Sequence, residues 1–291
     1  MPAGWPAGTR RACNRASAAA DTATTLRLSS ELRAEYQRLF DTCEVRPERA
    51  AAVESAMGAV LAQQSRYQMV EATTGVPWYF VAAVHQMEAG GRFDRHLHNG
   101  DPLTARTRQV PAGRPKVGEP PFTWEESAAD ALGLHGLSPG SDWTLAGLLY
   151  ELERYNGFGY RRFHPEVPSP YLWSFSRHYV SGKYVADGRW SDTATSAQCG
   201  AATLLRRMVE RGHVAFVDQP PPAPEAPPLV VRYARRKPTS RAVQEQAMTL
   251  QRWLNGFPGI FVKVDGWAGE RTSDAWRRVT GHYLPDDPRG A

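Results

Sequence analysis

Residues 77–101 read PWYFVAAVHQMEAGGRFDRHLHNGD, the one stretch in which a single carboxylate is predicted on an apolar helical face. Pro77 suits a first helical position, where its missing N–H would have no partner anyway, and the pair Gly90-Gly91 supplies the stop, so a helix is predicted from Pro77 to Ala89. Val81, Val84 and Glu88 recur at spacings of three and four beside Phe80, which sends the carboxylate inward with the valines. Burial disfavours a carboxylate's charge, and the last helical turn adds the negative end of the helix dipole. Both effects raise the pKa toward what a general acid needs near neutral pH. A partly exposed last-turn Glu bonded to a nearby His or Arg is the plainer alternative on this helix alone.

Downstream, HLHNGDPLTARTRQVPAGRP carries an Asn-Gly turn dipeptide and then Pro-Ala-Gly-Arg-Pro, which predicts a hairpin or an extended loop holding a second carboxylate, Asp101. In PPFTWEESAADALG, Thr123 followed by Glu126 forms a capping box, while Glu125 and Asp130 read as surface charges. DWTLAGLLYELERYNG is an amphipathic helix that buries Leu145, Leu148, Leu149 and Leu152 and delivers Tyr155 and Asn156 at its end. Upstream, Ser29 or Ser30 caps a helix through Leu32, Tyr36 and Leu39, and an Ala-rich helix follows as far as Gly75. The aromatic residues Tyr171, Trp173, Phe175, Tyr179, Tyr184 and Trp190 suit either a glycan cleft or a core. Leu204, Leu205 and Met208 close this part as the apolar side of a last helix.

Composition is that of an ordinary globular protein, with 42% hydrophobic and 22% charged residues. A net charge of +5 implies attraction to anionic surfaces, nucleic acid or bacterial wall alike. Cys13, Cys43 and Cys199 are too few and scattered for a disulfide framework or a zinc site. His85, His96 and His98 cluster in sequence, and hydrogen-bonding roles for them are preferred to metal ligation, so no metal or other cofactor is expected. The first 25 residues lack the apolar core of a secretory signal and are expected to be disordered, and no run is long enough for a spanning helix. Synthesis in the cytoplasm is therefore expected. DQPPPAPEAPP marks a stiff linker, assigned to 218–238, between a large domain at 26–217 and a small one at 239–285.

AVHQMEAGGRFD resembles the glutamate helix of the lysozyme-like superfamily, above all goose-type lysozymes and lytic transglycosylases. LYELERYNGFGYRRF resembles the Tyr-Asn-Gly segment of the same families, at Tyr155, Asn156 and Gly157. HLHNGDPL and PPFTWEESAADALGL are similar to segments of phage and prophage endolysins, and the resemblance covers about Val76 to Met208. It departs from the transglycosylase pattern at Ala89, where a serine is usual, and lacks a Gly-Leu-Met-Gln segment. MTLQRWLN and VDGWAGERTSDAW resemble the three-helix peptidoglycan-binding domain, through Leu250, Gln251, Asp265, Gly266, Gly269 and Thr272.

The resemblance implies a mainly α fold of α+β character: a lysozyme-like helical domain with a small β-hairpin, and a three-helix domain after it. It implies a muramidase cleaving the β-1,4 bond between N-acetylmuramic acid and N-acetylglucosamine, with the wall as its place of action. Glu88 would be the acid, with Asp101 stabilising charge or positioning water and Asp94 as the substitute. Tyr155, Asn156, Asn99 and Asp94 would contact the sugars, and Trp253, Asp265, Gly266, Trp267 and Thr272 the stem peptide. The expected partners are the glycan strand and stem peptide, with no nucleic acid and no membrane insertion, and the chain acting as a monomer. A lytic transglycosylase, or a wall binder without catalysis, are the rival expectations. No zinc-finger, P-loop or RNA-binding motif supports nucleic acid.

Overall fold

The computed structural model describes residues 26–186, 188–217, 231–257 and 260–290. The expectations for residues 1–25, including Cys13, and for the proline-rich run 218–230 lie outside the described residues. Within them the protein is mainly helical, with one two-stranded antiparallel sheet, and no helix is long and apolar enough to cross a membrane. The chain divides into two compact units: one takes the residues up to Tyr36 together with Glu44–Leu205, the other Gln37–Cys43 together with Arg206 onward.

Helix α1 (Ser30–Asp41), whose residues up to Tyr36 belong to the larger unit, starts where the Ser29 hydroxyl accepts the Leu32 N–H at 3.3 Å. The Ala-rich stretch predicted as one helix is two, α2 (Ala50–Leu61) and α3 (Gln64–Thr74), interrupted at Ala62 and Gln63. No breaker residue stands there. The bend lets the buried faces of both pieces, Val53, Met57 and Val60 on α2 and Tyr67 and Val70 on α3, reach the same central helix.

That central helix is α4 (Trp78–Ala89), for which Pro77 is the N-cap, one place earlier than predicted. Gly90 ends it in the left-handed region at φ 61°, which a glycine adopts without the Cβ penalty. Trp78 to His85 are all buried, so α4 is a core helix rather than the half-apolar one its spacing predicts, and only Gln86, Met87 and Glu88 emerge partly before Ala89. Around it pack α2, α3 and α6 (Leu145–Asn156), with α5 (Trp124–Leu134) laid on α3.

Local signals account for the starts of these neighbours. Thr123 and Glu126 form the capping box at α5, and the Thr144 hydroxyl accepts the Gly147 N–H at α6. Leu145, Leu148, Leu149 and Leu152 are fully buried, as their spacing predicts. Short helices α7 (Gly159–Phe163) and α8 (Pro170–Trp173) follow.

The hairpin is not where it was expected. Strands β1 (Lys183–Ala186) and β2 (Arg189–Ser191) pair antiparallel inside the aromatic stretch, with Tyr184 opposite Trp190. Residues 96–115 form a loop with a single bridge from Arg95 to Pro102. Side chains replace a strand partner there: the Asn99 Oδ1 accepts the Asp101 N–H, and the Asp101 carboxylate accepts the N–H groups of Arg108 and Gln109. Tyr171, Trp173, Phe175 and Tyr179 are buried, which resolves most of the aromatic run as core.

Helix α9 (Ala201–Glu210) buries Leu204, Leu205 and Met208. In the smaller unit, residues 231–290 hold two α-helices, α10 (Arg241–Leu254) and α11 (Glu270–Thr280), and a 3-10 turn at Pro288–Gly290, where three α-helices were expected. Val231, assigned by composition to the linker, is buried with Leu250, Leu254, Ile260, Val262 and Leu284.

Gln251 is the internal bracket of this unit. Its Oε1 accepts the N–H groups of Asp265 and Gly266 at 3.0 Å each, and its Nε2 donates to the Asp265 carboxylate, the Trp267 carbonyl and the Thr272 hydroxyl. Gly266 is held at φ 73° so close to Gln244 that a Cβ would lie 2.9 Å from its side chain and 3.0 Å from its carbonyl oxygen. Replacing Gln251 by Leu keeps roughly the volume but takes the acceptor from the N–H groups of Asp265 and Gly266, while the Asp265 carboxylate and the Trp267 carbonyl keep their bonds from Trp267 and Thr272. We expect a loss of about 3 kcal/mol, on the scale of unsatisfied buried polar groups, read as a lower denaturant midpoint; an unchanged midpoint would refute the bracket.

Candidate active site

Glu88 stands at the point where the buried helix α4 surfaces. Because everything up to His85 is packed, the last turn has a fixed position. His85 secures it: its Nε2 donates to the Arg92 carbonyl at 3.1 Å, which leaves Nδ1 to accept from the Tyr67 hydroxyl at 3.0 Å. Burial holds this imidazole down to about 4, so it is neutral. The Gln198 amide donates to the carbonyls of Gln86 and Met87, tying down the same turn from the segment before α9.

The Glu88 carboxylate is partly buried and accepts the Tyr171 hydroxyl at 3.2 Å. Tyr155, at the end of α6, is buried, and its hydroxyl has no hydrogen-bond partner among the described residues. Burial first, and then the Glu88 charge, push the Tyr155 phenol well above its ordinary value, so it stays protonated and able to donate. Its ring is stacked on His135, centroids 3.9 Å apart. His135 is held down to about 4 by burial and then by Arg154. The sequence-predicted Glu88 and Tyr155 are thus brought into one electrostatic neighbourhood. Tyr171 and Gln198 join them, one legible only as part of an aromatic run and the other carrying no signal at all. Asn156 is partly buried beside Tyr155 in sequence.

The other predicted residues have local duties. Asp101 Oδ2 takes three N–H donors, from Arg108 at 2.8 Å, Gln109 at 3.0 Å and Asn99 at 3.1 Å. Burial raises its carboxyl, but these donors outweigh it and hold the group below its ordinary value. Asn99 also donates to the Gln109 carbonyl. Asp94 is exposed between Arg92 and Arg95, at 3.4 Å from each.

A second buried carboxylate, Glu153 on α6, escaped the sequence reading. Its Oε2 accepts from Tyr36 at 2.5 Å and from Arg161 at 2.7 Å, which holds α1 and α7 to α6. Asp130 is not the free surface charge predicted from its helix position: it pairs with His98 at 2.8 Å and Arg114 at 3.2 Å. His98 also lies 3.4 Å from the Ser127 hydroxyl, so Ser127, His98 and Asp130 have the order of a hydrolytic triad. Ser127 is fully buried and sits closer to His96 Nδ1, at 2.8 Å, so no substrate can reach it and this polar ring is structural. His96 follows the bridge residue Arg95 in irregular backbone, and His98 lies in a turn. Among the described residues no group of three or more His, Cys, Asp or Glu is placed to hold a metal ion, and Cys43 and Cys199 are buried.

In the smaller unit Trp253 packs on Phe257 and Trp276 against the core. Asp265 Oδ1 accepts the Trp267 N–H, and Thr272 lies buried in the first turn of α11, with Gly269 rather than Thr272 as its N-cap. Of the predicted contact residues, Trp267 alone is exposed.

No protein-family model, no curated protein and no solved structure matches this chain.

The neutral histidines set the acid limit of the fold. For a group whose pKa is depressed on folding, the unfolded chain binds the proton first, so stability is complete above about pH 6.5 and falls as pH drops toward 4. His85 and His135 each contribute a loss of up to about 3 kcal/mol across that window. Denaturant midpoints between pH 7 and 4 should fall steeply, and His85→Gln should flatten the slope while lowering the plateau.

Proposed function

We propose that the chain is a peptidoglycan muramidase of the lysozyme-like superfamily, with Glu88 as its acid. What carries the reading is the carboxylate at the emerging end of a buried helix, with one phenol bonded to it and a second, unpartnered phenol beside it. The sequence order of the glutamate helix and the Tyr-Asn-Gly segment supports the same conclusion.

Glu88 delivers its proton to the glycosidic oxygen as the bond to the muramyl carbon breaks, and the sugar passes through an oxocarbenium-like state. Tyr171 orients the carboxyl by donating to Oε1. The Tyr155 phenol, buried and protonated, lines the protein side of the carboxyl. In hydrolysis, water then adds to the anomeric carbon and returns a proton to Glu88.

One observation favours a second route. Asp101, the expected partner carboxylate, is engaged by three N–H donors within its own loop. A lytic transglycosylase needs no second carboxylate, because the muramyl 6-hydroxyl attacks the anomeric carbon and Glu88 takes its proton. The smaller unit is, on this reading, a peptidoglycan-binding module that holds the enzyme on the wall.

Glu88→Gln should lower the rate of wall clearing by about 100-fold or more with its fold intact, on the scale of general-acid catalysis. Retention of wild-type clearing would end the assignment. Mass spectrometry of the digest separates the routes: new reducing ends mean hydrolysis, anhydro-muramyl ends mean transglycosylation, and intact glycan means binding alone.

Tyr171→Phe removes only the hydroxyl bonded to the acid. We expect kcat to fall about 10-fold, the worth of one hydrogen bond to a charged group, with KM nearly unchanged. A change confined to KM would mean that Tyr171 binds substrate instead.

A further inference from the structure

The chain's positive charge is not spread over it. Residues 231–290 contain eleven Lys and Arg against six Asp and Glu, which accounts for the whole net charge of +5. Arg235, Arg236 and Lys237 are consecutive, exposed, and without an ion pair among the described residues. Elsewhere in this segment Arg232, Arg241 and Arg289 each pair with a neighbouring carboxylate, and the other arginines with no ion pair among the described residues, Arg252, Arg271, Arg277 and Arg278, are not grouped three in a row. Three adjacent unpaired cations concentrate positive potential at one place, which attracts anions.

The same place carries the exposed tryptophan. The Trp267 indole N–H donates to the Ala234 carbonyl at 2.7 Å, and Ala234 N–H donates to the Ala268 carbonyl at 3.0 Å, so the ring is anchored to the residue immediately before the cations. Gly269 lies against the indole: a Cβ there would stand 3.0 Å from the ring, and the small residue permits the seating. The residue nonetheless keeps 39% of its surface exposed. A large aromatic fixed at its polar end, backed by glycine and left bare is a stacking platform, since burying it would otherwise stabilise the fold.

We propose that Trp267 with Arg235, Arg236 and Lys237 forms a binding surface for a phosphate-bearing glycan, the ring stacking on a sugar while the guanidinium forks and the ammonium engage phosphate oxygens. Guanidinium pairs bidentately with phosphate, and the flat C–H face of a pyranose suits a single indole. Single-stranded nucleic acid calls for a succession of aromatic rings along a basic groove, and this surface has one. The choice of an envelope glycan rests on the wall-lytic reading, but the binding does not depend on catalysis.

The test is direct binding of the full chain in three arms. The first is insoluble wall carrying its phosphodiester polymer, before and after stripping with hydrofluoric acid. The second is lipopolysaccharide before and after removal of its phosphates. The third is single- and double-stranded DNA at matched phosphate concentration. The two glycan arms tell which source the surface serves, and binding to either, lost on removal of phosphate, is the expected result. Affinity should fall roughly 20-fold from about 50 to about 200 mM salt, as three phosphate contacts require. The triple variant Arg235→Gln, Arg236→Gln, Lys237→Gln should abolish that salt dependence, and Trp267→Ala should weaken binding while leaving the salt slope in place. Phosphate-independent binding, a triple variant that binds as tightly as wild type, or DNA bound more tightly than either glycan would each overturn the proposal. Release of sugar ends from stripped wall by the wild-type chain is measured in parallel, so failure of the catalytic reading is recognised separately from failure of this one.

Discussion

Everything near Glu88 depends on one helix having no solvent face. Trp78 to His85 contact protein on every side, so α4 can neither roll nor slide without opening a cavity, and dense interiors resist that strongly. Hydrophobic packing fixes the axis, but it does not fix where the helix ends. That is done by polar groups: Gly90 turning left-handed, His85 bonded across to Tyr67 and Arg92, and Gln198 receiving the last carbonyls. A carboxylate on such a stub is positioned by its backbone, which under the proposed function would preorganise the acid.

The same economy recurs through the molecule, where buried or half-buried polar side chains stand in for regular backbone pairing. Asp101 and Asn99 close a loop that has no strand partner. Ser127 joins two histidines and the Leu97 N–H under α5. Gln251 does for the smaller unit what His85 does for the larger. In each case the chemistry resembles a functional cluster, and burial or saturation of every donor decides that it is structural. The Tyr155 hydroxyl, like those of Ser169 and Ser174, is buried without a hydrogen-bond partner among the described residues.

Charge is unevenly partitioned along the chain. Residues 1–230 are neutral overall, and the entire net charge falls after them. Under the proposed function, that excess of positive charge is what would draw the chain to an anionic envelope.

Periodicity and caps made much of this legible in advance. The leucines of α6, the Thr123 capping box and the Glu88 helix with its glycine stop are local properties, set by spacing and by the bonding capacity of single residues. The division of the Ala-rich stretch into α2 and α3, the transfer of the hairpin from residues 96–115 to 183–191, and the pairing of Asp130 with His98 and Arg114 were not legible, because each is decided by partners far away in the chain. The sequence by itself determined that Glu88 would end an apolar helix. Only the tertiary structure decided that Tyr171 reaches it while Asp101 is occupied elsewhere, because a side chain's hydrogen bonds go to whatever group the packing brings within about 3 Å.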